Sequence, residues 1–270
     1  MRISIAGYSF HGLRNRGMLD VFGYLEACRH RYGLDTADIW AGLMGRDPEA
    51  YLQEAYLANV AEAIGERGLT LVNYHADGCH VWEDDASARE RNRAMAERHI
   101  AAAERLGAKT VRIDPGGRER HWSDEAFDHV AATYRTWAHR AAGRGYRIGP
   151  ERHWGAGNHI DNLLRLAEAV DSPGFGILLH MGKDVDGPPS AADAALAPHA
   201  MHTHLVEDVI DGRLAESIRV LREAGYDGAV AVEAQVGTDE YAVVGRCLAK
   251  VRQELEHLQM SRSVYPQPRK

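Results

Sequence analysis

Short apolar runs alternate along the whole chain with longer stretches whose apolar positions recur at helical spacing. Ile3–Tyr8 alternates small and apolar residues and predicts a first strand. Met18–His30 reads as helical, and Leu34–Trp40 as a second strand with a weaker pattern. Asp47-Pro48-Glu49 is a helix start, with Asp as N-cap and Pro in the first turn, and the helical pattern continues through Ile64. Gly68 breaks the chain before a third strand at Leu69–Tyr74, and the polar loop His75–Asp85 leads to a helix at Ala86–Leu106 that ends before Gly107. Lys109–Ile113 predicts strand four and Ser123–Gly143 a helix. Strand five rises from Gly145 to Glu151, followed by a helix at Ile160–Val170 and strand six at Phe175–His180. A short helix at Ala191–Ala197, strand seven at Ala200–His204, a helix at Leu214–Ala224, strand eight at Gly228–Glu233 and a last helix at Asp239–Leu258 complete the pattern.

This makes eight strand–helix units with no linker and no break in composition. Such regular alternation predicts an α/β fold with a single (β/α)8 barrel over residues 1–260, followed by a polar, Pro-containing tail at 261–270. A doubly wound sheet is the competing arrangement, but it calls for a Gly-rich phosphate turn after an early strand. The chain has neither GxGxxG nor a Walker A motif. In a barrel, reactive groups gather at the C-terminal strand ends. Strands five to eight end on Glu151, His180, His204 and Glu233, each able to ligate a metal. A lone carboxylate on an apolar strand is costly to bury, and a metal or a salt bridge would resolve that cost.

Composition narrows the function classes. The 270-residue chain carries a net charge of −7 with its charges interspersed, so no basic stripe invites nucleic acid. Cys28, Cys79 and Cys247 are odd in number and widely spaced, which points to a reducing, cytoplasmic setting. The start lacks the apolar core of a signal peptide, and no apolar run approaches the ~20 residues of a membrane span. The 15 histidines count as evidence only through placement. His202 and His204 share strand parity and are expected to face the same side.

Arg147-Ile-Gly-Pro-Glu151-Arg-His153, Met201-His-Thr-His204 and Ala224-Gly-Tyr-Asp-Gly-Ala-Val-Ala-Val-Glu233 carry a family resemblance. With them the chain resembles, over nearly all its length, the xylose isomerase-like TIM barrels of the sugar-phosphate isomerase/epimerase superfamily. The resemblance implies one divalent cation held by Glu, Asp, His and Glu from strands five to eight. Glu151, His204 and Glu233 match the first, third and fourth positions, whereas His180 stands where the family shows Asp, and Lys183 where many members carry a later His. The Gly-rich loop that often follows strand seven is shortened to Leu205–Arg213.

What the resemblance implies is a metal-dependent isomerase or epimerase moving a proton through a cis-enediolate on a ketose or related polyol; with no phosphate cradle evident in the sequence, the substrate is expected to be unphosphorylated. The metal ligands would be Glu151, His180, His204 and Glu233. Glu151 and Glu233 would also serve as acid and base, with His153 and Lys183 beside the ligands as further catalytic candidates. His75, Arg112, His202, Trp154 and His11 are candidate substrate contacts at strand ends, with Tyr8 and Trp40 as apolar walls. Two imidazoles in the set favour manganese or cobalt, admit zinc or nickel and disfavour magnesium. The expected partner is a small sugar or cyclitol, with homo-oligomerisation open. Competing readings are a lyase of the same fold acting on an inosose or 3-keto-glycoside, an endonuclease IV-like hydrolase, and a non-catalytic sugar-binding barrel.

Overall fold

The computed structural model describes residues 1–264; the rest of the proposed tail, 265–270, lies outside the described residues. Eight strands follow in chain order: β1 (Arg2–Ile5), β2 (Thr36–Trp40), β3 (Thr70–His75), β4 (Thr110–Arg112), β5 (Arg147–Gly149), β6 (Ile177–His180), β7 (Ala200–Val206) and β8 (Ala229–Glu233). All ladders between them are parallel, in the orders β1-β8-β7-β6 and β2-β3-β4-β5. Single bridges join the two sheets at both seams: Ala6 to Asp38 between β1 and β2, and Ile148 to Phe175 and Glu151 to Leu178 between β5 and β6. The result is a ring of parallel strands in sequence order.

Helices cover the outside. In the first half run α1 (His11–Asn15), α2 (Val21–Glu26), α3 (Pro48–Tyr51), α4 (Glu54–Glu66), α5 (Ala86–Leu106) and α6 (Asp124–Arg144). In the second half run α7 (Ile160–Val170), α8 (Pro189–Leu196), α9 (Glu207–Gly212), α10 (Leu214–Glu223) and α11 (Glu240–Val264). The long helices start and stop where local chemistry dictates. Asp85 and Ser123 cap the N-termini of α5 and α6 by accepting from Ser87 N and Ala126 N, and Gly107 and Gly145 close their C-termini in the left-handed region. Among the described residues no helix is long and apolar enough to cross a membrane.

Several boundaries differ from the sequence reading, each for a physical reason. Strand one stops at Ile5 because Gly7 turns the chain against β2, where a Cβ would lie 2.8 Å from Trp40 N. The helical stretch at Met18–His30 resolves into α2 and a wider π turn at Ala27–Arg31. Pro150 interrupts β5 because it has no N–H to donate, and pairing resumes at Glu151. The presumed loop Leu205–Arg213 instead extends β7 to Val206 and then forms α9. The last helix runs past Leu258 to Val264.

Apolar side chains fill the layer between strands and helices, among them Ile39, Leu71, Ile100, Val130, Leu166 and Ile218, all essentially inaccessible. Inside the ring the chain is unusually polar. Ser4, Thr36, Asp38, Asn73, His202 and His204 are all buried. Such groups need partners inside the ring.

Candidate metal centre

The inward polar residues meet at the C-terminal ends of the strands. His180 ends β6, and its ring lies between two carboxylates: Nδ1 is 3.1 Å from Glu151 Oε1 and Nε2 is 3.2 Å from Glu233 Oε2. Register explains the meeting, since His180 pairs with His204 across β6–β7, and Val206 with Glu233 across β7–β8. His204 Nδ1 is 3.7 Å from Glu233 Oε1. Glu151, His180 and His204 each place one ligand atom within 4.8 Å of the others.

His204 is held from behind. Its Nε2 lies 2.9 Å from Asp38 Oδ2, which also takes His202 Nε2 at 2.8 Å. The other oxygen of Asp38 accepts from Asn73 Nδ2 at 2.8 Å, and Asn73 accepts in turn from Thr110 Oγ1. This carboxylate fixes the hydrogen on Nε2 and leaves Nδ1 of His204 facing the strand ends, the arrangement that orients imidazole ligands in metal sites. Burial alone would lower His204, but the Glu233 carboxylate and Asp38 raise it to about 9. The same negative field favours a metal cation at Nδ1.

Glu151 is fully enclosed. Burial would raise its carboxyl, yet the Arg112 guanidinium, the His180 hydrogen bond and nearby His153 hold it well below the usual carboxylate range. Arg112 Nη2 lies 2.8 Å from Glu151 Oε2 and 2.7 Å from Asp114 Oδ2. Even so, Glu233 Oε2 and His204 Nδ1 are buried without an aligned hydrogen-bond partner among the described residues. Two orphaned acceptor-capable atoms on converging side chains fit a bound cation.

Above this floor opens a cavity of about 360 Å³. Glu151, His180 and Glu233 form its base, and His75, Asp77, His153, Tyr8, Trp40 and Gln235 its walls. Asp77 is tied to His75 Nε2 at 3.2 Å and to Trp40 Nε1. The volume suits a molecule the size of a monosaccharide.

The remaining candidates from the sequence lie around this cavity but outside its lining. Lys183 Nζ donates to the His153 carbonyl at 2.7 Å and so links the loops after β5 and β6. Arg112 lies beneath, paired to carboxylates. His202 is committed to Asp38. Trp154 donates to Asp114 Oδ2 at 3.0 Å, and His11 stacks on Tyr8 with ring centroids 4.6 Å apart. Asp38 and Gln235 were missed in the sequence, whereas Asp77, beside His75 at the end of strand three, is a pocket candidate that the sequence offers and that joins the wall. Asp38 carried a usable signal, a carboxylate with inward parity between Ala37 and Ile39; Gln235 carried none beyond following a strand.

A family model described as xylose isomerase-like TIM barrel matches residues 27–259. The chain belongs to this family. Solved xylose isomerase-like barrels superpose on nearly its whole length. A D-tagatose 3-epimerase-like protein has a TM-score of 0.75 at 18% identity, covering 97% of this chain and 99% of its own. An L-ribulose 3-epimerase has a TM-score of 0.73 at 17% identity, covering 100% and 99%. The 3-keto-D-glucoside 4-epimerase of E. coli has a TM-score of 0.70 at 16% identity, covering 87% and 94%. At these identities the likeness is one of fold. No curated protein matches this chain by sequence.

Proposed function

We propose that the protein is a divalent-metal-dependent isomerase or epimerase of an unphosphorylated ketose or related polyol. The observation that carries this reading is the cavity floor, where Glu151, His180, His204 and Glu233 converge with two orphaned buried atoms, Glu233 Oε2 and His204 Nδ1, among them. The names of the epimerase neighbours agree with it. Glu151, His180, His204 and Glu233 would hold the ion, which supplies Lewis-acid polarisation of a substrate carbonyl and the hydroxyl beside it.

The protein's own groups then account for the proton. Glu151 and Glu233 reach the cavity base from opposite sides of His180. Placed there, one removes the proton from the carbon beside the carbonyl and the other returns a proton, to the neighbouring carbon or to the opposite face. The positive surroundings of Glu151 keep it ionised and ready to accept. His75 and His153 offer imidazole nitrogens to substrate hydroxyls. Tyr8 and Trp40, whose rings meet edge to face at 5.1 Å, give an apolar wall for the C–H face of a sugar.

The test is proton NMR of metal-loaded protein with ketoses, inososes and 3-keto-glycosides in D2O. Deuterium entering beside the carbonyl, together with a new isomer, supports the reading. Loss of water or aglycone would make the protein a lyase of this fold. Tight sugar binding with no exchange at all would leave a binding barrel, and cleavage of abasic DNA a hydrolase.

A further inference from the structure

Beside the floor of the cavity lies a second convergence of ligand atoms, and a side chain already fills it. Arg112 Nη2 is 2.7 Å from Asp114 Oδ2, 2.8 Å from Glu151 Oε2 and 3.0 Å from His153 Nδ1. Those three residues place one ligand atom each within 4.8 Å of one another. A guanidinium only donates, so the atoms facing it turn lone pairs toward it. Two carboxylate oxygens and one imidazole nitrogen aimed at one point are a ligand set for a divalent ion such as zinc or cobalt.

Arg112 is locked there. It is 1% exposed, and its other nitrogen Nη1 donates to the Ala76 carbonyl at 3.0 Å and lies 3.3 Å from Asp77 Oδ1. The guanidinium keeps its proton at any pH the fold survives. We propose that Arg112 is a built-in cation occupying a second metal position, and that it confines the centre to one divalent ion. It also commits Oε2 of Glu151, so that only Oε1, 3.1 Å from His180 Nδ1, remains for the cavity. A carboxylate bridging two ions would need both oxygens.

The inference takes its count of one from the proposed function, but the geometry around Arg112 stands by itself, and the experiment separates the two. Zinc per chain is counted by plasma mass spectrometry and calorimetric titration for wild type, Arg112→Gln and the double variant Arg112→Gln/His153→Ala. The first is expected to bind one zinc ion, the second two, and the third one again. Wild type without zinc would overturn the proposed function, while one extra ion in Arg112→Gln would still support this inference. Arg112→Gln binding no more zinc than wild type would overturn it. Removing Arg112 strands two buried carboxylates, so the variant can need zinc to fold; zinc-dependent recovery of its circular dichroism, lost in the double variant, supports the second position. Zinc-soaked wild-type crystals give a reading without any variant: an anomalous peak between Asp114 and His153 would overturn the inference.

Discussion

The two oxygens of Glu151 have different neighbours, Arg112 on one side and His180 on the other. Glu233 likewise touches His180 and His204. Replacing either carboxylate by amide keeps the shape but removes the charge that both cation and proton transfer need. Glu151→Gln and Glu233→Gln are each expected to lower turnover on the order of 100-fold or more and to weaken metal binding. Steady-state kinetics with metal titration checks this, and near wild-type rates at saturating metal would remove that residue from the mechanism. His180 governs which ion is accepted. With Glu151, Glu233 and His204 it makes a set carrying two formal negative charges and two imidazoles, poorly matched to magnesium's demand for oxygen ligands. Manganese or cobalt is expected to activate best and magnesium little. His180→Asp adds a charge and an oxygen, and should move the preference toward magnesium. Activity of metal-stripped protein reloaded with each ion gives the answer; an unchanged order in the variant would place His180 outside the ligand set.

At the scale of elements, the site depends on how closely β5 approaches β6. Gly149 and Gly176 face each other at this seam, and a Cβ on Gly149 would lie 1.7 Å from the Gly176 carbonyl oxygen. That contact is with backbone, so the strands would have to part. Gly149→Ala is expected to cost about 3 kcal/mol of stability and to disturb Glu151, two residues on. Chemical denaturation checks the first and metal affinity the second. The period-two pattern of β7, which the sequence displays openly, turns His202 and His204 to one side, and both meet Asp38. Nothing in the sequence links Asp38 to them, because the contact spans 164 and 166 residues.

For the molecule as a whole, one source of acid sensitivity above pH 4 is a buried histidine. His99 on α5 is completely buried against Tyr74, whose hydroxyl meets His99 Nδ1 at 2.9 Å, while Nε2 has no hydrogen-bond partner among the described residues. Burial pushes its pKa down from 6.5 to about 4. The unfolded chain therefore takes up a proton, as pH falls from 6.5 toward 4, that the folded chain refuses, so stability falls over that window and is fully present above it. The share of His99 by pH 4.5 is roughly 2 kcal/mol. His99→Gln should lose correspondingly less stability between pH 7 and 4.5 in urea melts; equal losses in both proteins would shift the cause elsewhere.

The sequence by itself determined the eight repeating units, and with them the barrel and the strand ends where chemistry collects, because hydrophobic period and turn residues are local properties. It also placed Glu151, His180, His204 and Glu233 at corresponding strand ends. Tertiary structure decided the rest. It tied Arg112 to three carboxylates, sent His202 to Asp38 rather than into the cavity, and made Asp77 and Gln235 part of its wall. These outcomes follow from ring closure and strand register, which bring residues far apart in the chain within hydrogen-bond reach, and no local pattern records which of many polar side chains will meet.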